Sequence, residues 1–201
     1  DGGGSVVRGA ARGIWSVMMS DITRGACIAF DGLCRLSAER VVHGVPQCGT
    51  AFWLMCNPSD ADAFIDDPTV GRVMHHSLRV GCNRSLIGNA WAYRTPYPKD
   101  LWAALAAGRY TVEMSSANIA WVAAMAAQAD VVFVAFGAEP WRRYRSHMEH
   151  LIDVIRSASG GKPLMCLGTA GDGAPLHPLA RGKFAVRNDC EIVEWPTSLR
   201  D

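Results

Sequence analysis

The chain has 201 residues, 49% of them apolar and 19% charged, with a formal charge of +1 at pH 7. That length supports one sizeable core rather than two, and the balance excludes both a disordered chain and a protein held to nucleic acid or an anionic membrane by bulk charge. Seven cysteines, at 27, 34, 48, 56, 82, 166 and 190, contain no C-x-x-C pair and no Cys/His cluster of zinc-ligand spacing, which predicts reduced thiols and no required metal.

Residues 1–25 are expected to form an arm, with one short helix around Gly13 to Met19, ahead of a single α/β domain over residues 26–201. Asp1 to Ser5 lack the charged and apolar regions of a secretory signal, and the apolar stretch Ile119 to Phe136 is broken by Gln128 and Asp130; a cytoplasmic protein without a membrane span is expected. Cys27 to Val42 mixes apolar residues with Arg35, Glu39 and Arg40 and predicts short strands. Thr50 to Cys56 is a continuous apolar run closed by Asn57-Pro58-Ser59, as in a strand buried on both faces.

Ser59 or Asp60 can cap a short turn, and Asp66 or Asp67 can cap a helix that has Pro68 at its start and Thr69 to Arg79 as its body. His75 and His76 fall on that amphipathic helix and are read as packing residues. A strand over 84–89 ends in Asn89, a loop with Pro96 and Pro98 follows, and a helix runs from Asp100 to Ala107. Ser115 or Ser116 is expected to cap a helix over Ala117 to Ala129. Val131 to Phe136 reads as a strand, Trp141 to Ala158 as one helix and Pro163 to Leu167 as a strand. Strands at 50–56, 84–89, 131–136 and 163–167, separated by helices, predict a three-layer α/β/α sandwich around a mainly parallel four-stranded sheet.

In such a fold ligands bind beyond the carboxyl ends of the strands, which selects the loops 57–68, 89–98, 137–141 and 168–183. Asn57, fixed by Pro58, can orient a water or read a base edge, or it can simply make an Asx turn with Ser59. Asp66 and Asp67 divide between helix caps and a general base. Asn89 can pair with a nucleobase edge while Arg94 holds a phosphate; the alternative is a turn with a solvated arginine. His177 can stabilise developing negative charge or serve as a structural loop residue, and Arg181 and Lys183 can touch phosphates or form a solvated face. No dinucleotide, Walker, nucleophile-elbow or zincin motif is present, and no cofactor is implied.

The segments Leu54 to Phe64, Asp66 to Val70, Asn89 to Thr95, Cys166 to Gly173 and His177-Pro178-Leu179 strongly resemble the domain-of-unknown-function-1643 family over about residues 30–196. That family name carries no activity. More distantly, the motif order is similar to the uracil-DNA glycosylase superfamily: a Gly-x-Asn-Pro or related turn, an Asn at a later strand end, and a His-Pro loop near the C-terminus. This second resemblance implies a uracil-DNA-glycosylase-like fold in which Asn57 positions the hydrolytic water, Asn89 reads the base and His177 stabilises the departing base. Pro58 and Pro178 would shape the loops. The chain departs from that pattern at Met55, where the turn would carry Gly, and lacks the Ser-Pro-Leu extension that enters duplex DNA.

The leading expectation is an enzyme acting on a nucleobase, a nucleoside or a modified base in DNA, at the glycosidic bond or on a base substituent; a base in a duplex must first be flipped out. A non-catalytic nucleotide- or nucleic-acid-binding module and a small-molecule biosynthetic enzyme using Asp66 or Asp67 are the alternatives. Catalysis requires Asn57, His177 and a carboxylate in one cleft, whereas a binding module needs only a pocket and a basic rim.

Overall fold

The computed structural model describes residues 21–59 and 65–196; the helix expected around Gly13 to Met19 and the cap expected at Asp60 lie outside them. Seven strands form one sheet: β1 (Ile22–Ala29), β2 (Cys34–Val42), β3 (Gly49–Met55), β4 (Cys82–Asn89), β5 (Val131–Val134), β6 (Leu164–Cys166) and β7 (Val193–Glu194). Their order is β1-β2-β4-β3-β5-β6-β7. The four expected strands are the parallel block β4-β3-β5-β6, while β1, β2 and β7 join antiparallel, so the sheet is seven-stranded and mixed rather than four-stranded. The parallel block announced itself because its strands are buried on both faces. The outer pair, with Arg24, Arg35, Glu39 and Arg40 interleaved, shows no apolar run. β1 begins at Ile22, inside the stretch expected to be an arm.

β3 shows why the molecule has three layers. Its side chains alternate: Phe52 and Leu54 enter one apolar cluster, and Ala51, Trp53 and Met55 enter another. The second cluster is completed by Val70, Val73, Met74 and Leu78 of helix α1 (Pro68–Arg79). The first is completed by α2 (Pro98–Ala106), α3 (Val112–Gln128), α4 (Ala138–Arg143) and α5 (Arg145–Ala158). Among the described residues no helix is long and apolar enough to cross a membrane.

Local chemistry moves several boundaries from their expected places. α1 starts as its sequence predicts, with the Asp67 side chain accepting from the Val70 amide at 2.9 Å and Pro68 in the first turn. α2 starts at Pro98 rather than Asp100, again with proline in its first turn. α3 starts at Val112, because Thr111 accepts from the Met114 amide and caps the helix a turn before Ser115. The expected helix Trp141 to Ala158 is two helices broken at Tyr144, whose backbone leaves the helical region while its ring packs on Trp91 and Trp102, with centroids 5.2 and 5.1 Å away. Gly88 lets α3 approach β4 closely: a Cβ there would lie 2.7 Å from Met125 Cε and 2.9 Å from Phe52.

The start of α1 is also tied to the outer strands. Arg40, fully buried, donates from Nε to Asp66 Oδ1 at 2.5 Å, and Arg24 Nε reaches Oδ2 at 2.9 Å. Asp66 is therefore the counter-ion of a buried arginine and neither the helix cap nor a group facing the strand-end loops.

Candidate functional site

All four parallel strands end on one edge of the sheet, where their loops enclose a cavity of about 390 Å³. Asn57, Ser59, Asp67, Asn89 and His177 line it together, although 120 positions separate the first from the last in sequence. Four other expected site residues do not line it. Pro58 is buried, its carbonyl accepting from Thr95 N at 3.0 Å. Arg94 donates to the Gly32 carbonyl at 3.1 Å and so fastens the β1–β2 turn. Arg181 lines a separate cavity, and Lys183 is exposed with Nζ 5.0 Å from the Phe184 ring.

The two asparagines differ in their use. Asn57 donates from Nδ2 to Thr95 O at 2.8 Å and to Pro58 O at 3.1 Å, clasping the β3 loop to the β4 loop. Its Oδ1 accepts no hydrogen bond among the described residues and stays an acceptor at the cavity wall. Asn89 is 1% exposed, and both Nδ2 and Oδ1 are buried without a hydrogen-bond partner among the described residues. Each orphaned group costs about 1–3 kcal/mol.

That cost is held in place by the surrounding backbone. Asn118 on α3 donates to the Asn89 carbonyl at 2.9 Å, the Ala90 amide donates to Met55 O at 2.8 Å, and His147 Nε2 lies 3.0 Å from Ala90 O. An acceptor on Ala90 requires His147 to carry its proton on Nε2.

His177 Nδ1 accepts from the Leu179 amide at 3.1 Å, so the neutral ring bears its proton on Nε2 and is a donor. Burial lowers its pKa below the ordinary histidine value, and the nearby Asp67 charge partly opposes that shift. Both Asp67 oxygens are engaged, one by the Val70 amide and one by the Ser59 hydroxyl. Gly137, at φ +81, turns the chain after β5 where a Cβ would come within 3.8 Å of His177 Cβ.

Sequence reasoning missed Arg35, Trp102, Phe136 and Glu139, all of which line the cavity. Glu139 lies in the selected loop 137–141 and accepts from Trp102 Nε1 at 2.7 Å. Arg35, 3% exposed, arrives from β2, whose antiparallel sense brings its first residues to the edge where β4 ends. No rule about the carboxyl ends of strands selects it. Cys56 also lines the wall, but burial first and the Glu139 charge second push its thiol up to about 12, so it is no thiolate nucleophile at neutral pH.

A family model described as a protein of unknown function, DUF1643, matches residues 41–179, more than half of the chain. The chain belongs to the DUF1643 family. No curated protein and no solved structure matches it. The DUF1643 span contains Asn57, Ser59, Asp67, Asn89, Glu139 and His177, whereas Arg35 precedes it.

Proposed function

We propose that this DUF1643 protein is an enzyme that recognises a nucleobase or nucleoside, modified bases in DNA included, and acts at its glycosidic bond or on a base substituent. The carrying observation is Asn89: a carboxamide whose donor and acceptor are both buried without partners among the described residues, on the wall of a cavity of ligand size. A ring edge that presents one acceptor beside one donor satisfies both atoms at once. Phe136 and Trp102 add an apolar, aromatic wall suited to a flat ring.

In this reading His177 offers its Nε2 proton to negative charge developing on the ring, and Asn57 Oδ1 accepts a hydrogen bond from an attacking water. Asn57, His177 and the carboxylate Asp67 meet in one cleft, which favours an enzyme over a binding module. The order of the Asn-Pro, Asn and His-Pro motifs, similar to that of uracil-DNA glycosylases, supports the glycosidic bond as the point of action. The small-molecule biosynthetic alternative loses Asp66, which is held by Arg24 and Arg40.

Calorimetry against a panel of bases, nucleosides and short single-stranded oligonucleotides tests this reading. Asn89→Ala should weaken binding of whichever member the parent binds by about 1–3 kcal/mol, and His177→Ala should keep that affinity while slowing turnover. Unchanged affinity in Asn89→Ala would remove the basis for base recognition.

A further inference from the structure

The loop that carries His177 runs on to line a second cavity, of about 440 Å³, against the other row of α1. Asp67, Thr69, Val70 and Val73 face the candidate site, whereas Pro68 and Arg72 face this second space, opposite Leu179, Arg181 and Val186. Among the described residues its only charged lining groups are the two arginines, and no carboxylate lines it. Among the described residues neither arginine belongs to an ion pair; Arg72 donates instead to the neutral side-chain oxygen of Asn188.

The surroundings add positive charge. Arg79 lies on the same helix and Lys183 in the same loop, while Arg187 and Asp189 neutralise each other as a pair at 3.0 Å. His76 registers this field: burial first, then the charges of His75, Arg79 and Arg72, push its pKa down to about 4. Two guanidinium groups around one concavity repel each other unless an anion sits between them.

We propose that this second cavity binds a phosphate group held by Arg72 and Arg181. A guanidinium fork matches phosphate oxygens two at a time, and a phosphate supplies the anionic charge that the lining lacks. Assigning that phosphate to a nucleotide rests on the base-binding reading of the first cavity; the anion site itself does not.

Pyrophosphate titrated into the full chain at low ionic strength, followed by calorimetry, tests the site without any base. Saturable binding is expected, weakened about ten-fold or more in Arg72→Gln and in Arg181→Gln. It should be unchanged in Arg187→Gln, which removes the same charge outside the cavity. A nucleoside monophosphate that outbinds its nucleoside in the parent but not in Arg181→Gln assigns the phosphate to a free nucleotide. A single-stranded oligonucleotide that alone shows this loss assigns it to a strand backbone. Absence of saturable pyrophosphate binding, or an equal loss in Arg187→Gln, overturns the site, and neither result bears on Asn89→Ala.

Discussion

β3 and β4 lie side by side, with Met55 opposite Asn89, and each leads into an asparagine at the same edge of the sheet. Asn57 has its amide nitrogen tied to two carbonyls, whereas Asn89 has neither side-chain atom paired among the described residues. One residue type in neighbouring strand-end positions thus stands in two settings, its nitrogen clasping loops in one case and both side-chain atoms unpaired among the described residues in the other. The contrast recurs at Asp66, buried against Arg40, and Asp67, beside His177. It recurs again at His76, closed in the core, and His177, on the cavity wall. Asp66 and His76 lie away from the cavity, whereas Asp67 and His177 line it; both asparagines line it, and they differ in how far their side chains are already paired.

The frame should fail hardest at Asp66. Asp66→Asn leaves Arg40 charged in the interior, and chemical denaturation should register a loss of about 3–5 kcal/mol; a loss below about 1 kcal/mol, the range of an exposed pair, would mean that Asp66 is not a framing residue.

His76 comes next. Its folded pKa, about 4 against an ordinary 6.5, means that the folded state resists protonation, so its contribution to stability is complete above about pH 6.5 and is lost as pH falls towards 4. Denaturation curves across that window should lose up to about 3 kcal/mol, and His76→Gln, which cannot titrate, should flatten the slope.

The two asparagines should then separate in sign. Asn57→Ala should lower stability by about 1–2 kcal/mol, a drop of roughly 2–8 °C in melting temperature for a chain of this size. Asn89→Ala should leave stability unchanged or raise it by up to about 1 kcal/mol, because it removes two unpaired buried groups. Equal losses in both variants would erase the distinction.

The smallest effect is electrostatic. The His177 ring, followed by NMR, should titrate below the ordinary histidine range, and lower still in Asp67→Asn, since the Asp67 charge is what raises it. Asparagine can still cap α1, so an upward shift would show that Asp67 does not act on His177 through its charge.

Much of the framework is legible in the sequence. Apolar runs reveal the parallel block, Pro68 with Asp67 marks α1, and the strand-end rule brings Asn57, Asn89 and His177 to one edge. The outer hairpin is legible only as short strands over Cys27 to Val42; its start at Ile22 and its antiparallel place in the sheet are not, because β1 and β2 are interrupted by charges whose ion pairs, with Asp66 and Arg84, form across the fold. Nor is the break at Tyr144, which depends on Trp91 and Trp102, 53 and 42 positions earlier. The different uses of the two asparagines are equally hidden, since only tertiary contacts decide whether a carboxamide is paired.

Arg35 reaches the cavity from the part of β2 that precedes the DUF1643 span, which starts at residue 41. The recess is therefore built from both sides of that boundary: residues within the matched span supply Asn57, Asn89 and His177, and the outer hairpin, tied to Asp66 by Arg24 and Arg40, supplies the guanidinium. A substitution confined to Arg35, with Arg24 and Arg40 kept on Asp66, would change the charge of the recess while the wall formed by Asn57, Asn89 and His177 stays in place.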